Sequence, residues 1–511
     1  MPVSQSGQIN TTSLVVPDLY IQITPPQTQY LNGLPTNILG IVGTASWGPV
    51  NSATIVGTLA QFGAIFGNVN ARKYDLGTQV ATAFMQGANN FRVVRVTDGT
   101  DVAANNVVQT NCITFTSKYT GTFGNNIQVT VSAGSQTGTY KGVVGAPGLV
   151  PEAFDNIGLG LSGNALWVAI AAAVNNGTNS LRGPSQIIVA TAGAGATAPA
   201  SATYTLASGT DGVTTITGAV LIGQDTVPRK GMYALRTNLC SIALLADCDD
   251  STTWATQVSY GLSEGTYMVM TGPSGDSISN AVTTKATAGI DSYSAKLLFG
   301  DWVYWLDTYN GYLRVVSPQG FVAGLLSNLS PEQSSLNKRM QGVVATQKSY
   351  VNQQYSAAEL QSLGIAGIDL ITNPVPGGNY FGARFGHNSS SNPVTNGDNY
   401  TRMTNYIAYT LNAGMGKFIG LLQSTSVRAR ANAQLSAFLS NMEQQGMIGD
   451  PNGGAAFSVQ IDASNNPGGR VALGYMQADV KVKYLAIVEK FLINVEGGTS
   501  VQIARTAVQL A

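Results

Sequence analysis

Apolar positions along the chain follow two periods. Between residues 426 and 445, Leu435, Phe438, Leu439 and Met442 fall at i, i+3, i+4 and i+7, the stripe of an amphipathic helix. Ser424 or Ser426 can cap its start, and Gly446 suits the position just past its end. A shorter helix is predicted over 400–411. Short apolar runs at 38–42, closed by Gly43, and at 91–96 (FRVVRV) read as strands, with a helical stretch over 78–85 between them. Residues 216–372 resume the alternation, with strands at 241–246, 267–270 and 313–316 and a helix at 254–262. Strand–helix alternation of this kind predicts an α/β core. Strands over 456–461 and 480–495 follow the long helix, so the last block reads as α+β.

Residues 111–215 differ in character. Thr, Gly, Asn and Ser dominate, and the β pattern of Ile127, Val129 and Val131 leads into an Ala/Gly/Thr-rich stretch at 190–202, which predicts an inserted, mostly β domain. Each chain end carries a strand signal with no sequence neighbour to pair with. Leu19, Ile21 and Ile23 alternate with polar or aromatic positions until Pro25-Pro26 stops the run. Val501 and Ile503, then Val508 and Leu510, alternate after Gly497-Gly498, with a phase slip near Arg505 that fits a bulge. Such a strand folds back on its own domain or completes the sheet edge of another subunit, and sequence leaves both open. The expected division is an N-terminal arm 1–30, α/β core 31–110, insertion 111–215, core resumed 216–373, C-terminal domain 374–496 and C-terminal arm 497–511. No internal repeat is evident.

Composition narrows the function. At 511 residues the chain has room for three or four domains. Lys plus Arg number 26 and Asp plus Glu 26, giving zero net charge, and 10% charged residues compares with about 25% in ordinary globular proteins. A chain so poor in cations has little to set against phosphates, which disfavours nucleic-acid binding. From residue 1 to 71 the only charged side chain is Asp18. A surface this sparsely charged associates readily, as in a subunit covered by other protein. The N-terminus lacks a basic and apolar leader and no 18-residue apolar run occurs, so a soluble protein made in a cytoplasm is expected, without membrane insertion. Cys112, Cys240 and Cys248 are odd in number and sparse, and read as small buried residues rather than a disulfide framework.

Candidate chemistry is thin. A single histidine, His387, rules out zinc sites built on two imidazoles, and the Cys240/Cys248 spacing does not match a zinc knuckle. Gly158-Leu-Gly160-Leu-Ser-Gly163 fits the dinucleotide fingerprint, but residues 151–156 do not read as a hydrophobic strand. No acid lies between Asp155 and Asp211 for a ribose, so a plain turn before a helix at 166–174 is preferred. Gly261-Leu-Ser263-Glu-Gly265 matches a nucleophile elbow with helix and strand in reversed order. Gly275-Asp276-Ser277 resembles another esterase segment, yet Arg384 stands where that class needs an aspartate before His387. Gly416-Lys417 is followed by Phe418, so no phosphate-binding loop forms. No catalytic residue, metal or cofactor is assigned. The enzymatic alternative is a serine hydrolase using Ser263 or Ser277 with His387.

The order of motifs along the chain resembles the contractile tail sheath proteins of bacteriophages and related injection machines. Gly40-Ile-Val-Gly43-Thr-Ala-Ser-Trp-Gly48-Pro49-Val50-Asn51 is similar to that family's glycine-rich strand and turn, followed by Phe62, Phe66-Gly67, the stretch from Phe84 to Gly87, and Phe91-Arg-Val-Val-Arg95-Val. Tyr119-Thr-Gly121 with Gly124-Asn125 resembles the family's entry to its inserted domain, and Gly209-Thr-Asp211-Gly212 the exit. The segment from Trp302 to Trp305, and Val316-Ser-Pro318-Gln-Gly320-Phe-Val-Ala323-Gly324, resemble its P-P-S-G-x-V-A-G region, with Val316-Ser317 as a departure. The similarity runs over residues 14–511.

The resemblance implies an α/β core with an outward-facing insertion, an inner C-terminal domain facing a tail tube, and terminal arms that add strands to neighbouring subunits. Leu19, Ile21, Ile23, Val501, Ile503, Val508 and Leu510 would be donated, and Phe457, Val459, Ile461, Val480 and Val482 would form the accepting edge. Lys417, Arg428 and Arg430, near the long helix, are the expected tube contacts, against the reading of a solvated basic cluster. The implied role is a helical homo-oligomer around a tail tube, joined to baseplate and terminator proteins. It would be a virion component assembled in the host cytoplasm that contracts to drive the tube through an envelope. The sheath of a headless injection particle is the alternative.

Overall fold

Five short runs, Leu39–Gly43, Phe91–Arg95, Ile242–Leu245, Tyr267–Thr271 and Ala295–Leu298, are buried almost throughout. Burial on both faces is what parallel strands between helix layers require, and it explains why the first four read as apolar runs. In the computed structural model, which describes residues 3–6, 20–23, 31–179 and 182–493, they form one sheet. Its order is Ala295–Leu298, Tyr267–Thr271, Ile242–Leu245, Leu39–Gly43, Phe91–Arg95, Thr54–Val56, parallel except for the last strand. The chain separates into two compact units, Met1–Thr36 with Arg402–Leu485, and Asn37–Thr401 with Ala486–Ala511.

In the larger unit, helices Leu59–Phe66, Leu76–Met85 and Gln319–Asn328 cover one face of this sheet, burying Phe62, Phe66, Val80, Phe321 and Val322 against Ile41, Val93 and Leu244. The helices Leu76–Met85 and Gln319–Asn328 approach closely, and a Cβ on Gly324 would lie 2.5 Å from the Ala83 Cα. The opposite face buries Val42, Val94, Leu245, Met268 and Leu297 against Trp254, Tyr260, Ala281 and Leu363 of helices Trp254–Glu264, Ile278–Thr287 and Ala357–Ile365. The sheet is thus doubly wound, a form of the α/β core that the alternation predicts.

A third core gathers Phe115, Ile127, Val129, Val144, Phe154, Trp167 and Ile170. Its strands form antiparallel sheets of three, Ile188–Ala192, Ile113–Thr120, Ala103–Val108, and of four, Glu152–Ile157, Tyr140–Gly145, Gln128–Ala133, Ala202–Thr205, with helix Gly163–Asn176. The strand Glu152–Ile157 corrects the reading of 151–156 as non-strand. Its polar first residue hid it: Glu152 is buried, accepting from the Ser185 hydroxyl (2.5 Å) and Gln186 N–H (2.9 Å) and pairing with Arg182 (3.0 Å).

In the smaller unit, helix Thr425–Gln444 starts at Ser424, whose hydroxyl accepts from the Val427 N–H at 3.2 Å, and ends before Gly446 at φ 72°. Its predicted stripe of Leu435, Phe438, Leu439 and Met442 is buried. Strands Phe457–Gln460 and Asp479–Val482 pair antiparallel, and Val459 and Val480 pack on that helix's core. The second strand is far shorter than the predicted 480–495. At the N-terminus, Tyr20–Ile23 is not the lone strand expected: it runs parallel to Val3–Ser6, with Ile21 opposite Ser4 and Ile23 opposite Ser6. The stretch Val3-Ser-Gln-Ser6 carries no apolar alternation to reveal this partner. Among the described residues, no helix is long and apolar enough to cross a membrane.

Candidate assembly site

The chemical candidates separate in space. Ser263 lies inside helix Trp254–Glu264 with its hydroxyl donating to the Tyr260 carbonyl (3.0 Å), and Gly265 ends that helix in a left-handed conformation. Ser277 caps helix Ile278–Thr287, accepting from the Asn280 N–H (3.2 Å). The His387 Nε2 meets neither serine, but Glu489 Oε1 at 2.7 Å. Gly158 and Gly160 make left-handed turns between strand and helix, as a plain connection does. All three cysteines are buried and free, and burial pushes the Cys240 thiol up to about 12, far from reactive thiolate.

Doubly wound sheets bind ligands at the carboxyl ends of their strands where the strand order reverses. Here that point lies between Leu39–Gly43 and Ile242–Leu245, and the chain's own loop fills it. The Thr44 N–H donates to the Tyr74 carbonyl (2.7 Å), the Leu76 N–H to the Thr44 carbonyl (2.9 Å), and the Tyr74 N–H to Asp247 Oδ2 (3.0 Å). Gln79 donates to the other Asp247 oxygen (2.8 Å), and burial pushes this carboxyl up. An open cleft of about 930 Å³ beyond Tyr267–Thr271 and Ala295–Leu298 is lined by Ser277, Asp301, Gln347, Tyr355 and Glu359. Its polar groups are engaged with one another: Tyr355 with Asp301 (2.7 Å), Gln347 with the Gly275 and Trp302 N–H groups (3.0 Å each), Lys348 with Glu359 (2.5 Å).

The smaller unit presents a different kind of site. Phe457 faces Val482, Ser458 faces Lys481, Val459 faces Val480, and the Lys483 N–H donates to the Ala456 carbonyl at 2.8 Å. Antiparallel alternation then turns the main-chain N–H and C=O of Phe457, Val459, Val480 and Val482 away from the partner strand. The Val459 carbonyl takes a bond from Asn432 Nδ2 (3.4 Å), and among the described residues neither strand has a further strand beside it. Four of the five residues expected at an accepting edge therefore point backbone groups outward. Ile461 does not belong with them: it lies past the strand end, buried beside Phe418, Ala431 and Leu435. Of the expected donors, only Ile21 and Ile23 fall in described segments, whereas Leu19, Val501, Ile503, Val508 and Leu510 lie outside the described residues.

Lys417 and Arg430 are exposed and Arg428 is half-buried, its Nε without a hydrogen-bond partner among the described residues. The same loop exposes Ile419 and Leu422, at 85% and 92%, an apolar tip the charge pattern did not flag. A further apolar surface lies on the larger unit. The antiparallel strands Val303–Asp307, Tyr312–Val316 and Val343–Thr346 turn Leu306, Leu313 and Val344 to solvent beside the stacked pair Tyr304 and Tyr350, whose ring centroids are 4.0 Å apart.

Neither a family model nor a curated protein sequence matches this chain. Solved structures do. The sheath tail protein of Desulfitobacterium hafniense aligns at 15% identity and a TM-score of 0.59, with 87% of this chain and 94% of that one covered. The sheath tail protein of Listeria innocua aligns at 13% identity and 0.60, covering 89% and 96%. The PVC sheath complex of an extracellular contractile injection system, in its contracted state, aligns at 12% and 0.55, covering 96% and 99%. The chain has the fold of contractile sheath proteins.

Proposed function

We propose that this chain is the subunit of a contractile sheath, a mechanical rather than an enzymatic protein. The observation that carries the reading is the fold agreement, which extends over nearly the full length of a subunit from an assembled sheath. The filled switch point and the scattered serine and histidine candidates support a role without chemistry.

Many copies assemble as a helical cylinder around a tube, in an extended and metastable state. Release at a baseplate end lets near-rigid subunits rotate into a more compact lattice with larger buried interfaces, and no nucleotide is consumed. The pair Phe457–Gln460 and Asp479–Val482 accepts strands from the arms of neighbours, which keeps the lattice linked as it shortens. The smaller unit faces the tube through Lys417, Arg428 and Arg430, and the insertion of residues 111–215 faces outward. Exposed apolar surfaces such as Leu306 with Tyr350, and Ile419 with Leu422, are covered in the assembly. The reading extends to a tail tube protein, a baseplate and a terminator as partners, in a phage tail or in a headless particle. Sedimentation and negative-stain electron microscopy of the purified full chain test it. Long hollow striated cylinders are expected, and a protein that stays monodisperse at high concentration with its tube protein present overturns it.

A further inference from the structure

In the smaller unit the chain enters helix Thr425–Gln444 through the loop Ile419-Gly420-Leu421-Leu422, which has the composition of a core rather than of a solvent loop. Ile419 and Leu422 are 85% and 92% exposed, and Leu421 is 45% exposed. Single exposed leucines are ordinary on a protein surface, but three large aliphatic side chains at one loop tip are not. The loop is held at both ends. Phe418 is buried against Ala431 and Leu435, the Ile419 N–H donates to the Gly416 carbonyl at 3.1 Å, and the Ser424 hydroxyl caps the helix that follows. Gly420, at φ 88°, makes the turn in a conformation that a side chain would strain. Little freedom is left to lose when the tip is covered, which is what an anchoring contact needs. The surroundings carry one sign of charge. From residue 399 to 442 the chain has Arg402, Lys417, Arg428 and Arg430 and no acid. Arg402 is buried, while the other three flank the tip in sequence. Both Arg428 and Arg430 stand in the first two turns of Thr425–Gln444, where the helix dipole already favours anions and the first turn holds no acid. Cations placed there work against the helix unless an anionic surface meets them.

We infer that Ile419, Leu421 and Leu422 form the apolar anchor of the tube contact, seated in an apolar recess of the tube subunit whose acidic rim meets Lys417, Arg428 and Arg430. The inference rests on the reading that the smaller unit faces a tube. The same tip on a second copy of this chain is a poor occupant, because it brings like charges together. The two kinds of side chain then do different work. The cations steer the approach and set its orientation, and the desolvated aliphatic centre supplies the affinity. Salt weakens the rim and leaves the anchor.

Co-sedimentation of the full chain with purified tubes across a salt series tests this. Ile419→Ser with Leu422→Ser should keep the wild-type Tm, since both side chains are nearly fully exposed. The pair should weaken binding by about tenfold or more at every salt concentration, the usual loss for an anchor at the centre of an interface. Arg428→Gln with Arg430→Gln should instead reduce the salt dependence and leave binding at high salt close to wild type. An environment-sensitive thiol dye on Leu422→Cys, selective because the three native cysteines are buried, should shift to the blue when tubes are added. Tube binding unchanged in the serine variant overturns the anchor. So does a blue shift on assembly of the labelled chain alone, which assigns the tip to a second copy. Wild-type cylinders around tubes beside either result leave the sheath reading standing, whereas a wild type that neither binds tubes nor forms cylinders overturns both.

Discussion

The Lys296 ammonium lies 2.6 Å from the Asp369 carboxylate, and neither side chain has any exposed surface. Asp398, equally buried, completes the group at 3.0 Å and takes hydrogen bonds from Tyr267 and Ser335. Burial works against every charge here. The two carboxylates outweigh it for Lys296 and hold its pKa above the ordinary value, while Lys296 with the Ser335 and Tyr267 hydroxyls holds the Asp398 carboxyl below the usual carboxylate range.

Lys296→Met leaves two buried carboxylates without a cation and should cost about 3–5 kcal/mol, read as a large fall in Tm. The sign for acid follows from the depressed Asp398. Its contribution is present above the ordinary aspartate range near 3.9 and is lost as pH falls through its lower native value. Thermal melts from pH 7 to pH 3 should therefore show the advantage of wild type over Lys296→Met shrinking only at the acid end.

Asp75 behaves in the opposite sense. It caps helix Leu76–Met85, accepting from the Thr78 N–H at 2.8 Å and the Asn70 N–H at 3.1 Å, yet full burial raises its carboxyl to about 6 despite Arg72 at 3.8 Å. A raised carboxyl contributes stability that is complete below the ordinary value and lost as pH climbs through the native one. Asp75→Asn keeps an accepting oxygen and removes the titration. Relative to this variant, wild type should lose about 1–3 kcal/mol between pH 4 and pH 7, measured by urea unfolding at both ends. Parallel curves would contradict the buried carboxyl as the cause.

The proposed accepting edge can be blocked without breaking the pair that forms it. The Val482 N–H points away from its partner strand, where proline is tolerated on an edge. Val482→Pro should leave the subunit folded, at a cost of about 1 kcal/mol, and abolish cylinders in electron micrographs. Deletion of residues 499–511 removes the proposed donor instead and should give the same outcome. A truncated subunit that still makes long cylinders contradicts the arm assignment.

The basic residues of the smaller unit make a separate claim. Lys417→Glu with Arg430→Glu should leave Tm unchanged, since both are exposed, and should weaken co-sedimentation with tubes, with the remaining affinity falling as salt rises. Unchanged tube binding returns them to an ordinary solvated cluster.

Legibility followed burial. Helix Thr425–Gln444 was readable because four apolar residues mark one face of a half-buried cylinder. The core strands were readable as continuous apolar runs, but Ala295–Leu298 was not, because a lysine at its centre is stable there only through Asp369 and Asp398, distant in sequence. Glu152 hid a strand in the same way. The apolar run beyond Val482 looked like strand and is largely exposed, since its pattern is not satisfied inside the subunit. The proposed accepting edge is a property of backbone groups, which residue identity does not encode. Its candidate residues came from the resemblance to sheath proteins, and the register turns the backbone groups of four of them outward while Ile461 lies in the core.

Helical reconstruction of assembled particles tests the central claim most directly. The account predicts a strand from a neighbouring subunit on each side of the Phe457–Gln460 and Asp479–Val482 pair, one from each type of arm. Cylinders in which that pair stays two-stranded, with both arms folded on their own subunit, would contradict it.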